Sequence, residues 1–423
     1  MFSRDVIKRL EERNLISKWT NKKELMLRFK KRIAFYCGFD PTSDSLHVGH
    51  LIPLFFLKSL QEIGHKPIIV LGGATGLIGD PSFRLSKRKI QKIDQLFYNI
   101  KKISEQIYFF LNLNSSNSKV KILNNYDWFK EINILYFLCK IGKFFSINQM
   151  INKESIKKRF DQKKDGINYS EFSYHLMQSY DFSYLYKTYN VELQIGGSDQ
   201  WGNIISGIHL THCLYKKKVY GITLPLMVNL NGDKIGKTEK KTIWLNSDKT
   251  SVYDFYQFWI NLNDIDVYSY LKYFTKISLD EINYLKDFCI QNPKSKKAQY
   301  LLAEHMTSFV HGENELSKAK RMSKKLFSKK LDKLEILDFL QLINDGIKKI
   351  NLNIGASLVD SLLKSKIADS KSFAKKLIIS NSILINGKLV TSPEYIFQNQ
   401  DILYKHYTLI KKGKKVFFLI YWK

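Results

Sequence analysis

A chain of 423 residues, 44% hydrophobic and 14% aromatic, is long enough for two or three domains and too apolar for a disordered polymer. Lysine and arginine number 68 against 39 aspartate and glutamate, a net +29 that points to a polyanionic partner such as nucleic acid, although an abundance of Lys, Ile, Asn, Tyr and Phe is also what A+T-rich coding produces. Cys37, Cys139, Cys213 and Cys289 lie far apart with no Cys-x-x-Cys pair, which argues against structural zinc and a disulfide framework and makes the cytoplasm the expected compartment.

Phe2 to Leu10 reads as an amphipathic helix rather than a secretory signal, and no apolar run reaches the length of a membrane span. Arg32 to Phe39 is apolar enough for a buried strand, Asp40-Pro41-Thr42-Ser43 breaks it, and Ser45 is placed to cap a helix over Leu46 to Ile63. His47 and His50 then share a face of the first turn, where Gly49 leaves the backbone open to a planar ligand and the helix start favours anions. Taken alone, the pair also fits metal ligands or plain surface residues.

Lys66 to Leu71 is a second strand, followed by the glycine-rich stretch Gly72 to Ser82, which matches neither G-x-G-x-x-G nor a P-loop. Asp80 within it is a candidate ligand for an ammonium group, or a simple turn aspartate before proline. A basic helix over Ser86 to Leu111 and a strand over Lys119 to Leu123 continue the alternation that predicts parallel βαβ units and a Rossmann-like sheet. The large apolar residues from Asn125 to Met150 serve a core or a subunit interface. Ser170 to Asp181 predicts a helix whose Tyr174, Gln178 and Asp181 line one face, as a pocket wall would.

Val191 to Ile195 is the next strand, and Gly196 to Asn203 again sets glycines and polar groups at a strand end. After strand-like Gly221 to Leu230, Lys234 and Lys237 flank a glycine, a pair of charges suited to phosphates or an exposed basic turn. The expected organisation is a Rossmann-like α/β domain over 1–245, an α-helical domain over 246–327, a charged linker over 328–353 and a small basic α/β module over 354–423.

These stretches, in this order in one chain, closely resemble the bacterial tyrosyl-tRNA synthetases, a family of class I aminoacyl-tRNA synthetases. The resemblance covers nearly the whole chain, including a tail similar to the S4 RNA-binding module. His47-Val48-Gly49-His50 stands where the class has its HIGH signature, and Lys234-Ile235-Gly236-Lys237-Thr238 where it has KMSKS, departing at Ile235, Gly236 and Thr238 but keeping both lysines. What the resemblance implies is activation of L-tyrosine by ATP, accompanied by Mg²⁺, and transfer to tyrosine tRNA, with no structural metal in the protein. It implies that His47, His50, Thr42, Lys234 and Lys237 stabilise the departing pyrophosphate, joined by Arg84 and Arg88. By the same resemblance Cys37, Gly38, Asp40, Gly49, Gly197, Asp199 and Gln200, with Lys237, contact ATP. Tyr36 and Asp181 would then meet the substrate's phenol, and Asp80, Tyr174 and Gln178 its ammonium group. Phenylalanine would leave Tyr36 and Asp181 unpaired, and tyrosyl-tRNA synthetases are themselves the standard case of such rejection, at about 10⁵ without editing.

Members of the family are homodimers across which tRNA lies, which makes Trp128 to Phe145 the candidate interface and the helical domain and tail the tRNA-binding half. No membrane partner is expected. The rivals are the tryptophanyl-tRNA synthetases, against which Tyr36, Asp181 and the tail weigh, and a non-catalytic RNA-binding protein, against which the retained histidines and lysines weigh.

Overall fold

The computed structural model describes residues 3–80, 92–112, 118–151, 168–228, 237–238, 241–327, 331, 334–413 and 416–423. They form two compact units, residues 1–245 with 268–284, and residues 246–267 with 285–423.

The first unit is built on strands β1 (Lys18–Trp19), β2 (Ala34–Phe39), β3 (Lys66–Leu71), β4 (Lys121–Asn124), β5 (Val191–Gly197) and β6 (Tyr220–Leu224), in the order β1-β6-β5-β2-β3-β4. Strands β2 to β6 are parallel and β1 closes one edge antiparallel to β6, so the expected Rossmann-like α/β sheet is what forms. The central strands are apolar on both faces, as strands covered by helices on both sides must be. The chain runs outward from β2 through β3 to β4 and returns to β5 on the other side of β2. The order therefore reverses between β2 and β5, which opens a crevice at the carboxyl ends of these two strands.

Two helices wall that crevice. Leu51–Glu62 buries Leu51, Ile52, Leu54, Phe56, Leu57 and Leu60 beneath the sheet. Tyr169–Tyr189 starts at a reciprocal cap, Asn168 accepting from the Glu171 N–H and Glu171 reaching back to Asn168, and stops at Asn190 in the left-handed conformation, φ 52°.

Residues 268–284, expected within the helical domain, pack with the first unit instead. The Arg13 guanidinium donates to the carbonyls of Lys272 at 3.0 Å, Thr275 at 2.9 Å and Ile277, and Phe274 meets Phe55 with ring centroids 5.1 Å apart. The last-turn carbonyl of Lys272 and the carbonyls of Thr275 and Ile277 just beyond the helix need donors, and one guanidinium fork supplies them.

In the second unit the helices Val252–Ile260, Lys297–His311 and Glu313–Phe327 pack together. Strands β9 (Lys349–Leu352), β10 (Ile383–Ile385), β11 (Lys388–Leu389), β12 (Tyr407–Lys412) and β13 (Val416–Trp422) form a second sheet in the order β11-β10-β12-β13-β9. Strands β10 and β11 form a hairpin, turned at Asn386 and Gly387, both at positive φ.

The span 328–353 is not a plain linker. It supplies the helix Ile336–Asn344 and strand β9, which pairs parallel to β13. Phe339 and Leu342 of that helix join Tyr253, Met322 and Leu326 from the helices and Tyr407, Leu409, Phe417 and Leu419 from the sheet in one apolar core. Burial of these side chains outweighs the charge of the flanking lysines, and the pairs Arg321–Asp345 (2.9 Å) and Lys325–Asp338 (2.6 Å) flank the contact.

Candidate active site

The crevice at the end of β2 and β5 holds a cavity of about 290 Å³. One wall is the histidine turn. A 3-10 turn, Val48–His50, precedes the helix Leu51–Glu62, and its cap is His47 rather than the expected Ser45. His47 Nδ1 accepts from the Gly49 N–H at 3.1 Å and His50 Nδ1 accepts from the His47 N–H at 3.1 Å, a reciprocal cap built from two imidazoles with ring centroids 4.0 Å apart. Acceptance at Nδ1 fixes a neutral tautomer with its proton on Nε2, a donor suited to a phosphate oxygen. The Ser45 hydroxyl is buried and donates to the Leu46 carbonyl. The turn is braced from the chain beyond the lysine motif: the Val48 N–H donates to Ile243 O at 3.0 Å and the Leu245 N–H to Leu46 O at 2.9 Å. Strands β7 (Lys237–Thr238) and β8 (Lys241–Thr242) form the hairpin that leads into this brace.

The opposite wall is acidic and buried. Asp181 accepts from Trp128 Nε1 at 2.9 Å on one oxygen and from Asn125 Nδ2 at 3.1 Å on the other. Burial pushes its carboxyl up to about 8; those two hydrogen bonds pull the other way, and the charge of Asp40 adds to the rise. Beside it the Tyr36 hydroxyl is buried with no hydrogen-bond partner, and the same is true of Gln194 Oε1. Tyr36 and Gln194 are register partners on β2 and β5, so their side chains stand together on one face of the sheet. An unpaired donor at a cavity wall is an arrangement that a ligand completes. Burial also raises the Tyr36 phenol and lifts the Cys37 thiol to about 12, so both stay neutral.

Between the walls runs a polar network. The Tyr174 hydroxyl donates to Asp40 at 3.2 Å, Thr75 donates to the other Asp40 oxygen at 3.1 Å, and Asn125 donates to Thr75 at 3.0 Å. Gln200 donates to Asp80 at 2.8 Å and accepts from Gln178 at 3.1 Å, while Asn203 donates to Gln178 at 2.8 Å. Gly72 makes room for it: a Cβ there would lie 2.1 Å from an Asp40 oxygen and 2.5 Å from the Thr75 hydroxyl.

Of the residues singled out in the sequence, Tyr36, Cys37, Gly38, Asp40, Thr42, His47, Gly49, His50, Asp80, Tyr174, Gln178, Asp181, Gly197, Asp199 and Gln200 all line this one cavity. Arg84, Arg88 and Lys234 lie outside the described residues, and of Lys237 only the strand it belongs to is described. Sequence reasoning missed Thr75, Asn125, Gln194 and Asn203. It also put Trp128 in an interface, whereas its indole serves Asp181 and stacks on Tyr184 at 4.6 Å. Asp40 and Gln200, expected beside adenosine, hydrogen-bond to Tyr174, Asp80 and Gln178 and so tie the two expected subsites together. Among the described residues no group of three or more His, Cys, Asp or Glu side chains is arranged to hold a metal ion. No described helix is long and apolar enough to cross a membrane.

Two family models match the chain: tRNA synthetases class I (W and Y) over residues 28–328, and the tyrosine–tRNA ligase SYY-like C-terminal domain over residues 338–420. The chain is 53% identical to the tyrosine–tRNA ligase of Blochmanniella floridana over 420 residues, 99% of each chain. It is 49% identical to that of Escherichia coli (strain 55989 / EAEC) over 424 residues, the full length of both. Among solved structures, a C-terminally truncated mitochondrial tyrosyl-tRNA synthetase of Aspergillus nidulans superposes with a TM-score of 0.66 at 29% identity, covering 76% of this chain and 94% of that one. A tryptophanyl-tRNA synthetase of Encephalitozoon cuniculi, at 18% identity and a TM-score of 0.54 over 81% of this chain and 95% of that one, shares the fold alone. The chain belongs to the class I tRNA synthetases, and within them to the tyrosine–tRNA ligases.

Proposed function

We propose that this cavity joins L-tyrosine to ATP, giving tyrosyl-adenylate and pyrophosphate, and that the tyrosyl group then passes to the 3'-terminal adenosine of tyrosine tRNA. In the first step a tyrosine carboxylate oxygen forms a bond to the α-phosphorus as the bond to pyrophosphate breaks. In the second a ribose hydroxyl attacks the carbonyl carbon and AMP leaves. No protein nucleophile is required, and the rate comes from positioning and charge stabilisation. His47, His50 and Thr42 meet the phosphates, together with Lys234, Lys237, Arg84 and Arg88. Asp199, Gly197, Gly38 and Cys37 flank the adenosine. Asp80, Tyr174 and Gln178 hold the ammonium group, with Asp40 and Gln200 bracing them.

The observation that carries the reading is the buried, unpartnered Tyr36 hydroxyl beside Asp181, whose two oxygens are already oriented by Trp128 and Asn125. A substrate phenol completes this site and phenylalanine leaves it unpaired. Mg²⁺ enters as the counter-ion of the ATP phosphates, the usual way this cation is held, by substrate phosphates and water with few protein ligands. The enzyme works in the cytoplasm, a reading supported by four cysteines that are all free thiols. It is a homodimer, with the exposed apolar side chains Ile134, Leu135, Tyr136 and Leu138 as the contact. The second unit, with its S4-like tail, takes the tRNA. Incubation with ATP, bacterial tRNA and labelled tyrosine should yield acid-precipitable tyrosyl-tRNA. Exchange of pyrophosphate without charging would remove the transfer half of the proposal.

A further inference from the structure

The helix Ile93–Asn112 buries Leu96, Ile103, Ile107, Phe110 and Leu111, yet buries the amide of Asn99 in the same stripe and half-buries that of Gln106. A buried amide persists where its hydrogen bonds are made. Asn99 is 2% exposed; its Nδ2 donates to the Pro41 carbonyl at 3.2 Å and its Oδ1 accepts from Gln95 at 2.9 Å. Gln106 accepts from the Leu46 N–H at 2.8 Å and donates to the Ser45 hydroxyl at 3.2 Å. Neither side chain lines the cavity.

Each amide grips the loop between β2 and the histidine turn beside a residue that does line it. Asn99 holds the Pro41–Thr42 peptide, directly before Thr42, and Gln106 holds the Ser45–Leu46 peptide, one residue short of His47. Leu46 is fixed from its other side too, its carbonyl accepting from the Leu245 N–H. His47 therefore stands between two braces, one from this helix and one from the segment beyond the lysine hairpin. Asp181 is oriented by other residues, Asn125 and Trp128.

We infer that Gln106 and Asn99 are positioning residues for the ATP half of the reaction, setting His47 and Thr42 against the phosphates without touching substrate. This rests on the reading that His47 and Thr42 meet the phosphates. A loop free to drift by about 1 Å misplaces its donors, a displacement worth up to about 100-fold in rate.

The test is ATP/pyrophosphate exchange with tyrosine in the full chain. In Gln106→Met, which leaves the Leu46 N–H and Ser45 hydroxyl without the amide, kcat/KM for ATP should fall by roughly 10- to 100-fold while KM for tyrosine stays within about twofold. Gln106→Glu keeps an acceptor for the Leu46 N–H and should recover most of the loss. Ile103→Val thins the same helix face without touching an amide and should leave KM for ATP unchanged. The inference is overturned if the ATP and tyrosine parameters fall together in Gln106→Met, if neither moves, or if Ile103→Val reproduces the ATP defect. Should Gln106→Met not fold, Ser45→Ala removes one of the two partners of Gln106. It should then lower kcat/KM for ATP alone by roughly 3- to 10-fold, and an unchanged value would overturn the inference. No exchange in the folded wild type would overturn the underlying reading and this inference together, whereas a wild type that exchanges beside an unaffected Gln106→Met would sink the inference alone.

Discussion

Tyr36→Phe should stabilise the ligand-free protein and impair its reaction at once. The Tyr36 side chain is 2% exposed and its hydroxyl is paired with nothing in the structure. A buried polar group left unsatisfied costs about 1–3 kcal/mol, which the substitution removes. At about 2 °C per kcal/mol for a unit of this size, the melting temperature should rise by roughly 2–6 °C. In the reaction the same hydroxyl meets the substrate phenol. Its loss removes a neutral hydrogen bond of about 0.5–1.5 kcal/mol, a fall of roughly 2- to 13-fold in kcat/KM for tyrosine. Phenylalanine never used that bond, so the preference for tyrosine narrows by the same factor. Thermal melting without ligands and pyrophosphate exchange with each amino acid read both effects. A lower melting temperature together with an unchanged tyrosine-to-phenylalanine ratio would refute the argument.

Three further outcomes follow from the geometry. The Asp181 carboxyl titrates near 8 in the fold against an ordinary 3.8, so the folded protein keeps a proton that the unfolded chain releases. Its contribution to stability is full below about 3.8 and is lost as pH rises through about 8; Asp181→Asn should flatten that decline, as urea midpoints at about pH 5 and about pH 9 would show. Gly72→Ala drives a methyl group into Asp40 and Thr75 and should cut pyrophosphate exchange by about 100-fold or more, with near-normal exchange contradicting the packing. Phe339→Ala, fully buried and stacked on Tyr407 at 5.3 Å, should cost about 3–5 kcal/mol. Because its core is shared, helices and sheet of the second unit should melt in one earlier transition, and a loss confined to the sheet would contradict the shared core.

The parallel sheet was legible because its strands are short apolar runs, most of them ending in glycines or small polar residues. The cavity was legible because those strand ends carry side chains of matching chemistry. What escaped is contact between distant residues: Trp128 and Asn125 stand more than fifty positions from Asp181, and nothing in their local pattern points to its carboxyl. The histidine turn was misjudged because Ser45 is the commoner cap, while a cap built from two imidazoles has no familiar pattern. In 328–353 the charge of the flanks hid the spacing of Phe339 and Leu342, which one helical turn brings to the same core. In the tail, the Asn386-Gly387 pair is the hairpin signal that turns β10 into β11.

Pyrophosphate exchange with tyrosine, phenylalanine and tryptophan supplied separately, before any tRNA is added, tests the central claim most directly. Tyrosine alone should support exchange, with the other two lower by orders of magnitude, because only its phenol pairs with both Tyr36 and Asp181. Equal exchange with phenylalanine, or exchange with tryptophan in place of tyrosine, would contradict the assignment of that buried pair as the selecting groups.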